Sequence, residues 1–442
     1  MSILILHKKN LSRRRHLAEA HRYARDHGER LLLVMKDPTW ESDFADLTTV
    51  VDTSSIEETM AAVWELVASE SEPITAVVSF AEAAVPAVAR VAAELGLPGV
   101  SELTARRARD KHAMRVAFAA AGDVLQQPRF GLARSLGEAR EVARETGYPL
   151  VLKPVLGTGS MYVRSVDDEH GLLEHFETLL RGAWTGFESD PLYRNAYEEH
   201  GGALLIEEFV PGPEICVEAV VVDGVTHVLA IHDKPLPTGP TFEEVYACTP
   251  TRLPEGIVAR VVAATEAVHA ALGIHMGASH VEFRLRDGEV PVVLEAAARM
   301  GGGPIYRSVM LSTGIDMVRV LLDMASSRVP VIQPRQPATP VGFWNIFPDR
   351  PGVLAAVHGV QEAASDPRAD EIAIYRSIGE HLNVPPQTFQ GHGHLIFTTD
   401  EQDQLDEVFD HFVRTVRLET DAPQPASEQA DRATQPLASE RG

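Results

Sequence analysis

The sequence predicts an α/β unit at the N-terminus followed by α+β units, in a chain too long for one domain. Residues 1–100 alternate short Val, Ile and Leu runs with amphipathic helical patterns, which is typical of a parallel sheet covered on both faces. Residues 128–207 and 335–418 instead hold short strands and helices in an α+β pattern. With 442 residues, we expect the chain to form two or three lobes.

The N-terminal unit is defined by apolar strands with helices between them. No G-x-G-x-x-G motif follows the first strand, so a dinucleotide site has no support there. The triplet Arg13-Arg14-Arg15 could form a phosphate patch, but the pattern favours the solvated start of a helix. The predicted strands are 2–6, 30–35, 48–52 and 75–80, and the predicted helices are 12–27 and 56–69.

Two hairpin signals, a long loop and a polar tail mark the rest of the chain. Asp223-Gly224 and Asp287-Gly288 stand between apolar runs, which predicts hairpins over 214–234 and 279–296. A Pro- and Thr-rich loop over 235–254 is long enough to indicate function or disorder. The tail 419–442 lacks aromatic residues and is predicted to be disordered. Further predictions are helices at 104–121, 135–146, 168–181, 255–272 and 401–416, strands at 148–154, 161–166 and 203–212, and a loop at 182–202.

Charge and composition exclude several classes of protein. The net charge is −23, so nucleic acid is not expected as a main partner, because phosphate binding needs a basic face. The only cysteines, Cys216 and Cys248, form no C-x-x-C pair, which favours a reducing compartment without disulfides. No apolar run approaches the ~20 residues that span a membrane. We therefore expect a cytoplasmic protein with no membrane partner.

The stretch VVLEAAARMGGG, residues 292–303, places Glu295 and Arg299 among small apolar residues. If Asp287-Gly288 is a two-residue turn, His280 faces Glu295, and Glu282 becomes a diagonal neighbour of Glu295 on the same face. Their Cβ atoms would lie roughly 7–8 Å apart, which suits Mg²⁺ with one or two carboxylate ligands. The alternative is a solvated polar face, and a one-residue slip would move Glu282 to the opposite face.

Three further stretches contain candidate phosphate and nucleotide contacts. Lys153 lies in an apolar strand, where a cation costs free energy unless it has an anionic partner. The turn after it, 157–160, can offer backbone N–H groups to phosphate, although strand–turn–strand is not a Walker A loop. Glu207-Glu208 ends another apolar strand before a Pro-Gly-Pro turn and Glu214, which could follow an adenine edge and a ribose, or simply form a bent hairpin entry.

Together these pieces resemble the ATP-grasp superfamily. The resemblance runs from Arg106 to Asp323 and rests on the order of its parts: a Lys in a helix, a Lys before a Gly-rich turn, EE-φ-φ-x-G-x-E, and a hairpin bearing E…E-x-x-x-R. Within the superfamily the chain is most similar to the L-amino acid ligases, such as the bacilysin-type dipeptide synthetases. The stretches that carry this likeness are HDKP (232–235), TFEE…TP (241–250), SHVEF (279–283) and LEAAARMGG (294–302).

The resemblance implies a fold and a domain organisation. It implies an ATP-grasp fold with a Rossmann-like pre-ATP-grasp domain before it and an α+β unit after it. The implied boundaries are 1–103 for the N-terminal domain, 104–127 with 208–330 for the central domain, 128–207 for the lid, 331–418 for the C-terminal unit and 419–442 for the tail.

The resemblance also implies ATP, with Mg²⁺ or Mn²⁺ as two ions, and a role for each matching residue. Ala297 stands where many relatives have Asn, and Ala247-Cys248 precede Thr249-Pro250 where some have His, so neither the second ion's coordination nor the substrate specificity carries over. The implied contacts are Lys111, Lys153, Gly157, Gly159 and Ser160 for the phosphates, Glu207, Glu208, Phe209 and Val210 for adenine, Glu214 for ribose, Glu282 and Glu295 for the metal, Arg299, Lys234 and His232 for catalysis, and Glu244, Tyr246, His280, Gly301 and Gly302 for the substrates.

The implied function is a carboxylate–amine ligase that forms a C–N bond. An amino acid or other small carboxylic acid would become an acyl phosphate, and an amine or a second amino acid would displace the phosphate. Three alternatives stay open: a biotin-carboxylase-like enzyme using bicarbonate, a non-catalytic nucleotide-binding module, and a metal-binding protein using His392 and His394. The oligomeric state stays open, and only analogy with the fold suggests a homodimer.

Overall fold

The computed structural model describes residues 1–236, 240–385, 387–388 and 390–421. Most of the tail predicted to be disordered, 422–442, lies outside the described residues, as do residues 237–239 of the predicted long loop. Residues 419–421, assigned to the tail, instead belong to the last strand. No described helix is long and apolar enough to cross a membrane.

The N-terminal unit is the predicted parallel sheet, with strand order β3-β2-β1-β4. Ile3 and Ile5 pack into one core and Leu4 and Leu6 into another, because successive side chains of a strand point to opposite faces. The elements are β1 (Ser2–Leu6), α1 (Arg14–Asp26), β2 (Arg30–Met35), β3 (Leu47–Val50), α2 (Ile56–Ser69), β4 (Ile74–Val78) and α3 (Val85–Leu95).

The single helix predicted over 104–121 is wrong, because the chain forms two helices, α4 (Glu102–Arg109) and α5 (Lys111–Ala120). Asp110 separates them in an extended conformation, and its carboxylate accepts hydrogen bonds from the N–H groups of His112 and Ala113. This is an N-cap, which satisfies donors that the first turn of a helix leaves free. The break places Lys111 at the start of α5.

Residues 130–208 form a small antiparallel sheet, with strand order β5-β8-β6-β7, and helices pack against it. The loop predicted over 182–202 is wrong: the preceding helix continues to Thr185, and a second helix occupies Tyr193–His200. The elements are β5 (Phe130–Ala133), α6 (Leu136–Thr146), β6 (Leu150–Lys153), β7 (Arg164–Val166), α7 (Glu169–Thr185), α8 (Tyr193–His200) and β8 (Leu204–Glu208).

An eight-stranded antiparallel sheet joins the central and C-terminal parts of the chain. Its order is β13-β12-β9-β10-β11, followed by the C-terminal strands β14 (Val341–Ile346), β18 (Gly393–Thr398) and β16 (Ala369–Ile374). Strand β11 lies inside the predicted long loop 235–254, which therefore is not entirely loop. The elements before residue 330 are β9 (Glu214–Val222), β10 (Val225–Leu236), β11 (Tyr246–Thr249), α9 (Glu255–Leu272), β12 (Gly277–Arg286), β13 (Val290–Ala297), α10 (Ile305–Thr313) and α11 (Met317–Ala325).

The C-terminal segment adds strands to this sheet and builds a second, three-stranded one with order β17-β15-β19. Its own core lies between the sheet and the last helix. The elements are β14 (Val341–Ile346), β15 (Gly352–His358), α12 (Val360–Ser365), β16 (Ala369–Ile374), β17 (His381–Leu382), β18 (Gly393–Thr398), α13 (Leu405–Thr415) and β19 (Arg417–Asp421).

The register predicted for the β12–β13 hairpin is wrong by two residues at Glu282. Glu282 and Glu295 nevertheless lie on the same face of the hairpin, as predicted. The turn holds three residues, 287–289, and Leu294 is an extra residue that forms a bulge. The longer turn and the bulge each shift the pairing by one position. Because side chains alternate between the two faces, the two shifts together leave Glu282 and Glu295 on the same face. Glu282 therefore pairs directly with Glu295, and His280 pairs with Ala297.

Candidate functional site

Two adjoining cavities open between the small sheet, the central sheet and the N-terminal unit. The first cleft has about 710 Å³ and the second cavity about 1610 Å³, both including solvent at their mouths. Glu282 and Glu295 line both of them, as do Thr158, Ser160 and Phe242. Glu282 and Glu295 therefore lie where the first cleft and the second cavity meet.

Each carboxylate of this pair is held by a lysine from another element. Lys111 Nζ lies 3.0 Å from Glu295 Oε1, and Lys234 Nζ lies 3.0 Å from Glu282 Oε1. Burial alone would raise the pKa of Glu282, but Lys234 and His280 outweigh it and hold that pKa well below its usual value. Glu282 is thus a carboxylate rather than an acid at neutral pH.

This donor set fits a divalent cation of the Mg²⁺ type. Two carboxylates that face each other across a hairpin supply hard oxygen ligands, and Mg²⁺ commonly takes one or two carboxylates with phosphate and water. The side chains of Glu282 and Glu295 keep 27% and 32% exposure, so both can be reached from the cleft.

Glu207 lies at the base of the first cleft, between two buried cations. Lys153 Nζ lies 2.7 Å from Glu207 Oε2, and Arg115 Nε donates to Oε1 at 2.6 Å. Burial opposes ionisation, but Arg115 and Lys153 overcome it and lower the pKa of Glu207. Burial also lowers the pKa of Lys153 to about 8, against the attraction of Glu207. The requirement for an anionic partner, inferred for Lys153 from its apolar strand, is met by Glu207.

The glycine-rich turn after Lys153 is fixed on both sides. Lys111 Nζ donates to the Gly157 carbonyl at 3.1 Å, so the same ammonium holds the turn and Glu295. Gly159 has φ of 64°, a left-handed conformation that glycine adopts without strain. The Tyr162 ring packs so closely on Gly182 of α7 that a Cβ there would lie 2.4 Å from it. The segment that follows the turn therefore packs against α7, a helix that covers the same small sheet.

An aromatic and cationic stack lines part of the first cleft. The Arg284 guanidinium carbon lies 5.0 Å from the Phe209 ring centroid and 5.1 Å from that of Phe242. Arg284 also donates to the Val210 carbonyl at 3.1 Å and to Glu214 at 3.1 Å. The residues predicted for adenine and ribose all line the first cleft: Glu207, Glu208, Phe209, Val210 and Glu214.

Of the predicted residues, those that line the second cavity but not the first are Gly159, Lys234, Glu244, His280, Arg299 and Gly302. Arg299 is tied to the N-terminal unit through an ion pair with Glu82. Burial would raise the pKa of Glu82, but Arg299 and Arg109 lower it to about 2. Asn345 donates to the Glu244 backbone carbonyl at 3.0 Å. The cavity wall is therefore built from three separate parts of the chain.

His280 is a cation within the cavity wall. It contacts Glu218 through Nδ1 and Glu282 through Nε2 at 3.4 Å. Burial opposes its charge, but Glu218 and Glu282 raise the pKa of His280 to about 10. Glu218 also accepts a hydrogen bond from the Gly301 N–H at 2.8 Å, and a Cβ on Gly301 would lie 2.5 Å from Glu218 Oε1. Gly301 is therefore needed for this close contact.

Three predicted site residues do not line either cavity. They are Gly301, whose N–H and carbonyl are bonded to Glu218 and Arg13, and the side chains of His232 and Tyr246. His232 is fully buried, its Nε2 lies 2.7 Å from Ser308 Oγ of α10, and burial lowers its pKa to about 3. It shares a face of β10 with Lys234, but α10 covers that part of the strand. The Tyr246 hydroxyl donates to Asp406, and its ring stacks on Phe409 in the C-terminal core. The expected placement of both side chains in the site is wrong.

The sequence also carries signals for three buried charged residues near the site that the motif-based assignment of site residues does not include. Glu218 is a lone carboxylate in the apolar run EICVEAVVV, the same signal that marked Glu295. Arg115 lies one helical turn after Lys111, on the same face of α5. Arg13 is 5% exposed and lines the second cavity, so the solvated helix start favoured for the arginine triplet is wrong at this position.

The alternative metal site at His392 and His394 finds no support in the described part of the chain. Neither histidine belongs to the groups of described side chains close enough to share an ion. His392 Nε2 instead lies 2.7 Å from the Asn383 carbonyl, and His394 contacts the Tyr375 hydroxyl.

Comparisons with family models and with solved structures indicate the same fold as the sequence motifs. Residues 146–306 match the ATP-grasp domain family, and residues 345–421 match L-amino acid ligase C-terminal domain 2. The crystal structure of an L-amino acid ligase from Bacillus licheniformis superposes with a TM-score of 0.78 at 23% identity, covering 96% of this chain and 99% of that one. The fold predicted from the order of the motifs is thereby confirmed.

The matches to sequence relatives cover only part of each relative's length. The uncharacterized protein y4rH of Sinorhizobium fredii is 29% identical over 310 residues, which is 69% of this chain and 60% of that protein. Alanine–anticapsin ligase of Bacillus subtilis is 29% identical over 246 residues, 54% of this chain and 51% of that enzyme. The chain thus spans between half and two thirds of the length of these two relatives.

Proposed function

We propose that this chain, which carries an ATP-grasp domain followed by an L-amino acid ligase C-terminal domain, is an ATP-dependent carboxylate–amine ligase. The observation that carries the proposal is the Glu282–Glu295 pair, directly opposed at the junction of two cavities and flanked by lysines. The nucleotide would occupy the first cleft, and the acid and the amine would occupy the second cavity. The acid would be an amino acid or a small carboxylic acid.

Positioning and charge neutralisation account for most of the catalysis in phosphoryl transfer. Lys111 and Lys153 would bind the phosphate chain, with the N–H groups and hydroxyl of residues 157–160 closing over it. Glu282 and Glu295 would hold Mg²⁺, which neutralises phosphate charge when bound. The number of ions is part of the proposal, and the two carboxylates offer enough ligands for one or two.

Arg299 would stabilise negative charge in both steps of the reaction: on the phosphoryl oxygens during transfer, and on the tetrahedral oxyanion when the amine attacks. Attack by the acid's carboxylate on the γ-phosphate would give an acyl phosphate and ADP. The amine would then attack the acyl carbon, the C–O bond to phosphate would break, and the amine's proton would leave with the product phosphate or solvent. A guanidinium aimed at the developing oxyanion lowers such barriers, and Glu82 keeps Arg299 oriented. Lys234 would hold Glu282 and Glu214 in place.

Water must be excluded while an acyl phosphate is present, because that intermediate hydrolyses readily. We infer that residues 128–207 act as the lid. Their sheet contributes Lys153 and the 157–160 turn to the first cleft, and the Ser165 N–H donates to the Pro240 carbonyl of the loop facing it at 3.0 Å.

The test is a matrix of amino acids, small acids and amines, scored for ADP release with Mg²⁺ and for the amide product by mass spectrometry. Glu295→Gln should lower amino-acid-dependent turnover at least about a hundredfold, because metal-ion stabilisation is worth several kcal/mol. Its circular dichroism should match the wild type. Glu289→Gln is the matched control, since Glu289 lies in the same hairpin with 63% exposure and its one ion pair among the described residues is with Arg260.

The outcomes separate the alternatives. Near-normal turnover by Glu295→Gln would remove the metal assignment. ADP release that depends on bicarbonate and not on amino acids would favour the carboxylase-like alternative. Tight ATP binding without turnover in any mixture would favour the non-catalytic module.

A further inference from the structure

A row of four largely buried charges connects the unit of the small sheet with Arg299 in the second cavity. Asp190, between α7 and α8, forms an ion pair with Arg109 of α4. Arg109 Nη1 lies 3.0 Å from Glu82 Oε1, and Arg299 Nε donates to Glu82 Oε2. The four side chains are between 3% and 13% exposed, so solvent screens these ion pairs little. This charge row alternates in sign and draws its members from three separate parts of the chain.

The charge row determines how the Glu82 carboxylate is shared between two arginines. Arg109 meets Asp190 through Nη2 and lies closest to Glu82 through Nη1, at Oε1, whereas Arg299 bonds to the other oxygen. Arg109 Nε is buried and has no partner among the described residues. Without Asp190, Arg109 would be a buried guanidinium with spare donors beside a single carboxylate. Because arginine favours bidentate contact with a carboxylate, it would then draw Glu82 away from Arg299.

The segment that carries Asp190 packs on the glycine-rich turn at residues 157–160. The Asp190 N–H donates to the Phe187 carbonyl at 2.8 Å, which fixes the two residues relative to each other. The Phe187 ring lies so close to Gly157 that a Cβ there would be 3.0 Å from it. Lys111, which donates to the Gly157 carbonyl, follows Arg109 by two residues. The pairing of Asp190 with Arg109 therefore accompanies the packing of this segment on the turn.

We propose that Asp190 and Arg109 are positioning residues that set the orientation of Arg299 through Glu82. The orientation of Arg299 in the second cavity then depends on the packing of residues 187–190 against the glycine-rich turn beside the first cleft. Neither Asp190 nor Arg109 lines the first cleft or the second cavity, so both act at a distance from the ligands. The inference rests on the proposed ligase function, in which Arg299 stabilises developing negative charge.

The competing interpretation is that the Asp190–Arg109 pair only holds two parts of the chain together, and a second buried pair provides the control. His200 Nε2 of α8 lies 2.7 Å from Asp110 Oδ2, and both side chains are at most 3% exposed. This pair joins the same two parts of the chain, but it shares no carboxylate with Arg299. His200→Phe removes the contact and keeps a ring in place, while Asp110 keeps its bonds to the first turn of α5.

The kinetic test compares Asp190→Asn, which removes the charge and keeps the shape, with His200→Phe. In Asp190→Asn, kcat should fall roughly ten- to a hundredfold, less than the loss of about 10²–10³ on removing an oxyanion donor outright. The KM for ATP should change by less than about twofold, because Asp190 does not line the first cleft. His200→Phe should lower the melting temperature and keep kcat within about twofold of wild type. A folded Asp190→Asn with normal kcat, or an equal loss of kcat in His200→Phe, would overturn the inference.

A spectroscopic measurement keeps this test separate from the ligase proposal. In protein with ¹⁵N-labelled arginine, the Nε–H signal of Arg299 reports its bond to Glu82 without substrate or turnover, and its loss in Arg299→Lys assigns it. The signal should shift or exchange faster with water in Asp190→Asn and stay in place in His200→Phe. Phe187→Leu leaves every charge of the row in place and loosens the packing on Gly157. It should also move the signal, and it decides the test if Asp190→Asn does not fold.

The outcomes for the two proposals are distinct. An Arg299 signal that stays in place in both Asp190→Asn and Phe187→Leu would overturn the inference whatever the activities are. A signal that moves in both variants, in a protein whose wild type joins no acid to any amine, would support the positioning of Arg299 and contradict the proposed function.

Discussion

Replacing Arg115 by Met should destabilise the protein more than any comparable surface change. Arg115 is 1% exposed, and it donates to Glu207 at 2.6 and 3.2 Å and to the Leu294 carbonyl at 2.5 Å. Methionine fills much of the volume but removes all of these bonds. Glu207 would keep only Lys153, and the bulge carbonyl of Leu294 would be left without a donor. Breaking a buried pair in this way costs about 3–5 kcal/mol.

The expected change in melting temperature follows from the size of the chain. An entropy of unfolding of about 2.1 cal/mol/K per residue gives a fall of about 3–5 °C if the chain unfolds as one unit, and more if the central lobe unfolds separately. Scanning calorimetry without ligand measures it. Arg129→Met is the control, because Arg129 is 63% exposed and pairs with Glu208 at the surface, a contact worth about 0–1 kcal/mol. Equal melting temperatures for the two variants would refute the assignment of Arg115 as the residue that holds Glu207 and the bulge.

Two other variants test the second cavity. Glu82→Gln should be less stable than wild type at pH 7, and the difference should shrink as pH falls from about 4.5 towards about 2, because the depressed pKa of Glu82 gives stability that is lost as the carboxylate is protonated. Denaturant melts across that range check it, and a difference that stays constant with pH would contradict it. Gly301→Ala should cost about 1–3 kcal/mol, because its Cβ would lie 2.5 Å from Glu218 Oε1 and 2.7 Å from Ile305. Gly302→Ala, whose Cβ meets nothing closer than 3.9 Å, should melt within about 1 °C of wild type, and a loss equal to that of Gly301→Ala would count against the close-contact reasoning.

A charged residue inside an apolar run was the strongest signal in the sequence. It identified Lys153 and Glu295, and the structure places both in the first cleft. Glu218 carries the same signal, and the structure shows it fully buried against His280 and Gly301. Such residues can be found without coordinates because an isolated buried charge is too costly to be accidental. Which partner satisfies the charge depends on contacts between distant segments, and these are not visible in the sequence.

The hairpin shows where local patterns stop being sufficient. The Asp287-Gly288 dipeptide predicts a turn but not its length. The sequence of β13, VPVVLEAA, does not indicate a bulge at Leu294. The bulge lies where Arg115, from a helix far along the chain, binds the freed carbonyl. Similarly, the helical periodicity continues through Asp110, but its side chain caps α5 and contacts His200 of α8. In both cases tertiary contacts decide between locally similar alternatives.

The pairing of charges around the two cavities indicates how a chain of net charge −23 could accommodate the proposed polyphosphate. Lys111 and Lys153 of the first cleft and Lys234 of the second cavity each have a carboxylate partner, so these cations are neutralised before any ligand enters. A phosphate chain that takes over Lys111 would release Glu295, and a divalent cation could then replace the lysine at that carboxylate. Neither exchange is favourable alone, because each leaves a half-buried charge without its partner. Nucleotide and metal should therefore strengthen each other's binding by the same factor, as linkage requires.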